Sequence, residues 1–215
     1  HHDLRIYGGD KAKPGQFPFI VSIRLHGYPL CGGSIINENW IVTAAHCMIG
    51  WPPEDYQVLA GTVIRDFGGT LYNVSTFTVH PAYNSTTYTD DIAVLKIDGT
   101  FNFTDLVQTV EFSEVSDNDS VTVAGWGGIE DDVGSIDLLY AKVTTMSFDD
   151  CTRLSEGGKV VLERGPGQVC ALAGEGIAPC FGDSGGPLIL NGTLVGVVSY
   201  GVYPCARGYP DVYTR

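Results

Sequence analysis

The chain has 215 residues, 28 of them glycine, and carries 25 acidic against 12 basic side chains, for a formal net charge of −13. This length is sufficient for one large domain or two small ones with a sizeable core. The excess of negative charge argues against nucleic acid and anionic membranes as partners, because both attract basic proteins. No apolar run approaches the length of a transmembrane span.

Short runs rich in β-branched residues follow one another along the chain, separated by clusters of Gly, Pro, Asn and Asp. They predict strands at Phe19–Leu25, Trp40–Thr43, Tyr72–Val79, Ile92–Ile97, Val121–Trp126, Pro187–Leu190 and Thr193–Tyr200. Asn191-Gly192 predicts a tight hairpin turn between the last two strands. Helical periodicity is weak, and one short helix is predicted over Phe148–Leu154. Many short strands at this spacing indicate an all-β sandwich or barrel.

The cysteines indicate a disulfide-bonded protein. They are too widely spaced for a Cys-x-x-Cys zinc site, and their even number indicates three disulfides: Cys31, Cys47, Cys151, Cys170, Cys180 and Cys205. We therefore expect a secreted, extracellular protein that has lost its leader peptide. Five Asn-x-Ser/Thr sequons are candidates for N-glycosylation: Asn73, Asn84, Asn102, Asn118 and Asn191.

The segment Gly182–Pro187 surrounds a single serine, Ser184, with small residues. Its glycines permit backbone angles at which successive N–H groups converge on one point. An oxygen that becomes negative during acyl transfer needs such donors, so the segment is a candidate for a nucleophile beside an anion site. The alternative is a glycine-rich turn between two strands.

A serine nucleophile needs a base within hydrogen-bond reach. His46 is the best candidate, because it lies in Thr43–Cys47, where alanines leave room around the ring and Cys47 can fix the backbone. The other histidines are interpreted as terminal or solvated structural residues: His1, His2, His26 and His80.

Three segments resemble the active-site blocks of the chymotrypsin-like serine proteases of the trypsin family, and they stand in the family's order: Thr43–Cys47, Asp91–Leu95 and Gly182–Pro187. Ile6–Gly9 resembles the family's activation site. Two further segments resemble its specificity pocket, Ser199–Gly201 and Tyr209–Arg215. The match covers essentially everything from residue 6 onward. Each segment alone is only suggestive, but all of them together in this order are highly specific for the family.

The resemblance implies an all-β fold of two packed six-stranded antiparallel barrels, with the active site in the cleft between them. We expect a propeptide or tag remnant at residues 1–5 and a protease domain at 6–215, divided into barrels at roughly 6–110 and 111–215. We expect the C-terminal helix that is usual in the family to be absent from this sequence, which ends at Arg215. The resemblance also implies a monomer with disulfides Cys31–Cys47, Cys151–Cys170 and Cys180–Cys205.

Carried over by position, the resemblance makes Ser184 the nucleophile and His46 the general base. Asp91 would orient His46, and the backbone N–H groups of Gly182 and Ser184 would form the oxyanion hole. Asp90 competes with Asp91 for the orienting role, but the Asp-Ile-Ala-Val-Leu register favours Asp91.

Arg5-Ile6 resembles a zymogen cleavage site. In the family, cleavage frees an isoleucine ammonium that pairs with the aspartate before the nucleophile, here Asp183. The chain is therefore predicted to be a precursor that an activating trypsin-like protease cleaves. A turn-capping role is the alternative for Asp183. Other expected partners are protein or peptide substrates and protein protease inhibitors.

The pocket residues depart from those of a trypsin. Ala178 stands where a trypsin has an aspartate, and Asp211 stands where the family usually has glycine. This pattern resembles arthropod chymotrypsins and crustacean collagenolytic proteases. With Ser199–Gly201 as a wall, it predicts cleavage after aromatic residues or Leu. An inward Asp211 would broaden cleavage to Arg and Lys, whereas the alternative places Asp211 in a turn network.

We expect no cofactor and no metal, because Gly68–Asn73 lacks the carboxylates of the family's calcium loop. Two alternatives to the main interpretation stay open. One is a trypsin-like activating protease of a cascade, and the other is a non-catalytic protease-like binding protein.

Overall fold

The structure is a computed structural model that describes residues 9–128, 134–156 and 167–215. The predictions for His1, His2, Arg5 and Ile6 lie outside the described residues. A short first strand, β1 (Asp10–Lys11), pairs with the second half of the chain.

Six antiparallel strands close the first barrel, in the order β2-β3-β4-β7-β6-β5. They are β2 (Ile20–Leu25), β3 (Tyr28–Ile35), β4 (Trp40–Thr43), β5 (Tyr56–Ala60), β6 (Thr70–Val79) and β7 (Ala93–Ile97). Alternate residues of β7 are buried, which is the period of a strand with one face in a barrel core. Two short 3₁₀ helices, at Ala45–Met48 and Pro53–Asp55, follow β4.

The second barrel contains β8 (Ser120–Gly125), β9 (Leu139–Met146), β10 (Gln168–Leu172), β11 (Pro187–Leu190), β12 (Thr193–Tyr200) and β13 (Asp211–Thr214). The strand order β9-β10-β13-β12-β11-β8 closes on itself because β8 also pairs with β9. The fold is thus two closed six-stranded antiparallel barrels with one short helix, α1 (Phe148–Glu156), as predicted.

All seven predicted strands are confirmed, with bounds that differ by two residues at most. The predicted turn is confirmed as well: Leu190 pairs with Thr193, and both Asn191 and Gly192 have positive φ. Six strands were missed: β1, β3, β5, β9, β10 and β13. Pro29, Gly32 and Gly33 lower the strand propensity of β3, which pairs with β2 and β4 nonetheless.

The three predicted disulfides are confirmed, with Cα–Cα distances of 6.3, 6.1 and 5.8 Å for Cys31–Cys47, Cys151–Cys170 and Cys180–Cys205. The first joins β3 to the 3₁₀ helix that carries His46, and the third joins two segments of the second barrel beside Ser184. All five sequon asparagines are exposed. No helix among the described residues is both long and apolar enough to cross a membrane.

Candidate active site

His46 and Asp91 form a hydrogen-bonded pair on the first barrel. His46 Nδ1 lies 2.7 Å from Asp91 Oδ2, and the His46 backbone N–H donates to Asp91 Oδ1 at 2.9 Å. An ionised carboxylate accepts only, so the bond assigns a proton to Nδ1 and leaves Nε2 of the neutral ring as an acceptor. Two bonds to one carboxylate fix both the ring and its backbone.

Asp91 is fully buried, and the second barrel supplies further partners for it. Ser199 Oγ donates to Asp91 Oδ2 at 2.6 Å, and Thr214 Oγ1 donates to the Asp91 carbonyl at 3.0 Å. A buried carboxylate is tolerated only where donors satisfy it. Between the two candidates, Asp91 and not Asp90 contacts the His46 ring. Asp90 lies on a turn with φ of 54°.

Ser184 lies at the junction of the barrels, in the loop before β11. Its carbonyl accepts a hydrogen bond of 2.8 Å from the Gly32 N–H of β3. The next two residues are fixed within the second barrel, since the Gly185 N–H donates to Val198 and the Gly186 N–H to Asp183. His46 bonds to Asp91 rather than to Ser184, but both His46 and Ser184 line one cavity. Catalytic hydrogen bonds of this kind commonly tighten only when a substrate is bound.

Gly185 is required by the close approach of the two barrels. Its φ is +77°, and a Cβ at this position would collide with the Gly32 carbonyl and the Thr43 hydroxyl. Any other residue would therefore push the Ser184 loop away from β3 and β4 of the first barrel. The glycines of the motif thus serve packing as well as backbone conformation.

The backbone N–H groups of Gly182 and Ser184 donate to no acceptor among the described residues. Gly182 has φ of +91°, a conformation that glycine adopts at low cost. Two free N–H groups beside a serine hydroxyl are available to an incoming oxygen atom.

Asp183 is fully buried beneath this loop. The Gly127 N–H donates to its Oδ1 at 2.7 Å and the Cys180 N–H to its Oδ2 at 2.9 Å. Burial raises the pKa of Asp183 to about 6, because loss of solvent outweighs the two hydrogen bonds that lower it. No cation pairs with the carboxylate among the described residues.

A cavity of about 390 Å³ opens beside Ser184 and His46. The predicted wall residues Ser199, Tyr200, Gly201 and Asp211 all line it. Ala178 is buried and is not among the lining residues, whereas its neighbours Pro179 and Cys180 are. Gly182 lines a second cavity of about 410 Å³ on the other side of Phe181.

Asp211, at the start of β13, is 7% exposed and faces the first cavity. Its Oδ1 approaches Gly201, where an added Cβ would collide with it. Burial, reinforced by the negative charge of Asp183, raises the pKa of Asp211 well above its usual range.

Sequence reasoning missed an aromatic group around the entrance to this cavity. The Tyr88 ring lies 5.6 Å from the His46 ring and 5.5 Å from the Tyr200 ring, measured between centroids. Phe181 and Tyr203, both mostly exposed, also line this cavity and pair at 5.8 Å between ring centroids. Tyr88 has φ of 53°, and no local sequence signal indicates either its conformation or its position over His46.

A metal centre is not indicated by the residues that could ligate one. The one group of three such side chains within the described ranges is Cys31, His46 and Cys47. Both sulfur atoms belong to a disulfide, and the imidazole is bonded to Asp91.

Two closed barrels, with a His–Asp pair on one and a serine loop on the other, define the class of two-barrel serine peptidases. Comparisons with known proteins agree. The family model described as Trypsin matches residues 6–215. Trypsin delta and trypsin gamma of Drosophila melanogaster are each 38% identical over 217 residues, covering 98% of this chain and 84% of theirs.

The vitellin-degrading protease of Bombyx mori is 35% identical over 219 residues, covering 99% of this chain and 82% of its own. Among solved structures, neuropsin, a serine protease expressed in the limbic system of mouse brain, aligns with a TM-score of 0.86 and 28% identity. That alignment covers 97% of this chain and 93% of neuropsin. The chain belongs to the trypsin family and is a serine endopeptidase.

Proposed function

We propose that the protein is a secreted serine endopeptidase that cleaves peptide bonds through an acyl-enzyme on Ser184. The single observation that carries this proposal is that Ser184 lines one cavity with His46, whose ring is bonded to Asp91, while the backbone N–H groups of Ser184 and the nearby Gly182 have no acceptor among the described residues. Protein and peptide substrates, and protein inhibitors that mimic them, are the partners this chemistry requires.

In this mechanism Ser184 Oγ attacks the carbonyl carbon of the scissile bond while His46 Nε2 takes the hydroxyl proton. The carbonyl oxygen becomes negative and accepts hydrogen bonds from the Gly182 and Ser184 N–H groups. His46 then gives its proton to the leaving amine, and the C–N bond breaks. Water repeats the sequence on the acyl-enzyme, so the carboxylic product leaves and Ser184 regains its proton. Asp91 stabilises the cationic His46 at each transfer.

We also propose that the chain is a precursor, activated by cleavage after Arg5. A buried carboxylate without a cation is costly, and Asp183 has only two backbone N–H donors. The ammonium of Ile6, once freed, would supply the missing charge. It would thereby stabilise the loop that carries Gly182 and Ser184.

For the side chain on the acyl side of the scissile bond, we propose a preference for aromatic residues and Leu, extended to Arg and Lys. The absence of an acid at Ala178 supports the apolar preference, and the carboxyl of Asp211 at the cavity wall supports the extension. The relatives named trypsin do not decide this point, because the two positions that govern it differ here from those of a trypsin.

The experiment compares the chain before and after limited trypsin cleavage on peptides that vary only in this side chain. After trypsin is removed by a specific inhibitor, amide hydrolysis should rise at least tenfold and should be absent from Ser184→Ala treated in the same way. A rate that cleavage does not change contradicts the precursor proposal. A strict requirement for Arg or Lys contradicts the proposed preference, and no hydrolysis of any peptide favours the non-catalytic alternative.

A further inference from the structure

The carboxyl group of Asp211 is a buried acid without a partner at the wall of the substrate cavity. Its side chain accepts no hydrogen bond and forms no ion pair among the described residues, yet it lines the cavity beside Ser184. A buried ionised carboxylate in such a site is unfavourable until a cation or donor reaches it. The charge of Asp211 therefore depends on what enters the cavity and on pH.

The residues around Asp211 are either negatively charged or uncharged, and none of the described ones offers a basic side chain to its carboxyl group. Opposite it, β10 presents Ala171, and the wall beside it presents Gly201. From the nucleophile loop the titratable neighbour is Asp183, and from β13 itself it is Tyr213. The other titratable side chains that line the cavity are His46, Tyr88, Tyr200 and Tyr203. The described lining residues include no lysine or arginine.

These neighbours favour the protonated form of Asp211. Burial is the main cause of the raised pKa of Asp211, and the negative charge of Asp183 adds to it. Burial, with the charges of both carboxylates, also raises the pKa of Tyr213, so that hydroxyl stays protonated. At mildly acidic pH the empty cavity is therefore uncharged at Asp211.

We propose that the proton on Asp211 selects which class of side chain the cavity accepts. With the proton bound, the cavity is uncharged and suits an aromatic or leucine side chain. With the proton lost, it holds a carboxylate that pairs with a substrate arginine or lysine. This inference rests on the proposed function and adds to it a dependence of specificity on pH.

Specificity depends on pH because substrate binding is linked to proton binding at Asp211, and no covalent step is involved. An arginine side chain binds to the ionised carboxylate, so its binding to the protonated cavity releases one proton. Below the titration of Asp211, kcat/KM for an arginine substrate should therefore rise about tenfold per pH unit relative to a phenylalanine substrate. Any ionisation that changes the chemical step equally for the two substrates cancels in the ratio.

The test measures kcat/KM of the trypsin-activated enzyme for two peptides that differ only in Arg against Phe, between pH 5 and pH 9.5. The Arg/Phe ratio should rise about tenfold per unit over at least one unit. Asp211→Asn should give a low ratio that does not vary with pH, and the exposed Asp150→Asn should behave as the wild type. A ratio constant in the wild type, or one that still rises in Asp211→Asn, overturns the inference.

A binding measurement decides the point without hydrolysis and without a variant. Benzamidine, a cation with an aromatic ring, is titrated into the activated wild type by calorimetry in two buffers of different ionisation enthalpy. At a pH below the titration of Asp211, where the Arg/Phe ratio of the wild type is still rising, its binding should release a proton, whereas its uncharged analogue benzamide should release none. Equal proton release by the two probes overturns the inference. Failure of both peptides to be cleaved would instead contradict the proposed function, and the titration would still decide this inference.

Discussion

Ser199 and His46 share one acceptor: the Ser199 hydroxyl and His46 Nδ1 lie 2.6 and 2.7 Å from the same oxygen, Asp91 Oδ2. Ser199 belongs to the second barrel and Asp91 to the segment before β7 of the first. The bond therefore holds the Asp91 carboxylate across the interface between the two barrels, which must stay aligned in the proposed mechanism.

Ser199→Ala should remove this contact and leave a buried carboxylate with one donor fewer. A hydrogen bond to a charged group contributes about 2 kcal/mol, so we expect a loss of roughly that size in the free energy of unfolding. We also expect kcat to fall by about tenfold, since His46 is held less firmly. Urea unfolding and steady-state kinetics measure both effects. Ser116→Ala, at an exposed serine, is the control and should change neither; an unchanged kcat in Ser199→Ala would contradict the role.

Neighbouring aspartates provide a matched pair for the orienting role. Asp91→Asn should lower kcat by about 10⁴, the figure for the same exchange in a related two-barrel protease, because an amide favours the wrong His46 tautomer. Asp90→Asn should leave kcat within about twofold, since Asp90 does not contact the ring. Similar losses of kcat in both variants would contradict the assignment of the orienting role to Asp91 alone.

Substitutions at two glycines with positive φ distinguish the cost of a steric collision from the cost of backbone strain alone. Gly185→Ala would collide with Gly32 and Thr43, whereas Gly192→Ala meets nothing within 4 Å. The hairpin variant should lose only about 1–2 kcal/mol, the cost of the left-handed conformation for an L-residue. Gly185→Ala should lose clearly more and should also lose activity. Equal urea midpoints for the two variants would contradict the packing argument.

The titration of Asp183 predicts how the stability of the uncleaved chain depends on pH. Its pKa is raised from 3.8 to about 6, so the folded state retains a proton that the unfolded chain releases in this window. Stability should therefore fall as pH rises through 4 to 6, by about 3 kcal/mol at 1.36 kcal/mol per unit. Urea unfolding of the uncleaved Ser184→Ala chain at pH 4, 5, 6 and 7.5 measures the fall.

Asp183→Asn in the same background should remove the Asp183 share of that slope and leave the share of Asp211, whose pKa is also raised by burial, whereas the exposed Asp117→Asn should retain the whole slope. Cleavage after Arg5 should also remove the Asp183 share, because the ammonium of Ile6 would pair with the ionised carboxylate. The stabilisation by cleavage should be largest between about pH 6 and pH 8, where both groups are charged. A slope as steep in Asp183→Asn as in its parent would contradict this assignment.

The sequence predicted the motif-bearing parts of this molecule better than its irregular strands. Ser184, His46 and Asp91 lie in segments that resemble the active-site blocks of the trypsin family, and this resemblance made them the candidate site residues. Strands such as β3, with two glycines and a proline, are specified by pairing and barrel closure rather than by propensity. Only the folded chain supplies those contacts.

In the cavity, too, some features were predicted from the sequence and others depend on the folded chain. Matching by position to the family that the chain resembles indicated that Ala178 and Asp211 depart from a trypsin, but the direction of the Asp211 side chain depends on Gly201 in another segment. Tyr88 gave no signal, because its place over His46 results from a turn with positive φ. Side-chain direction and contacts between distant segments are properties of the fold that no local pattern contains.

A covalent probe shows whether Ser184 is a nucleophile activated by His46. The trypsin-cleaved chain is incubated with a phenylalanine-type diphenyl phosphonate, and the adduct is located by mass spectrometry of peptides. The proposed role predicts one adduct per chain on Ser184, a rate reduced at least 100-fold in His46→Ala, and no adduct in Ser184→Ala. Absence of an adduct on the cleaved wild type, or an adduct elsewhere on the chain, would contradict it.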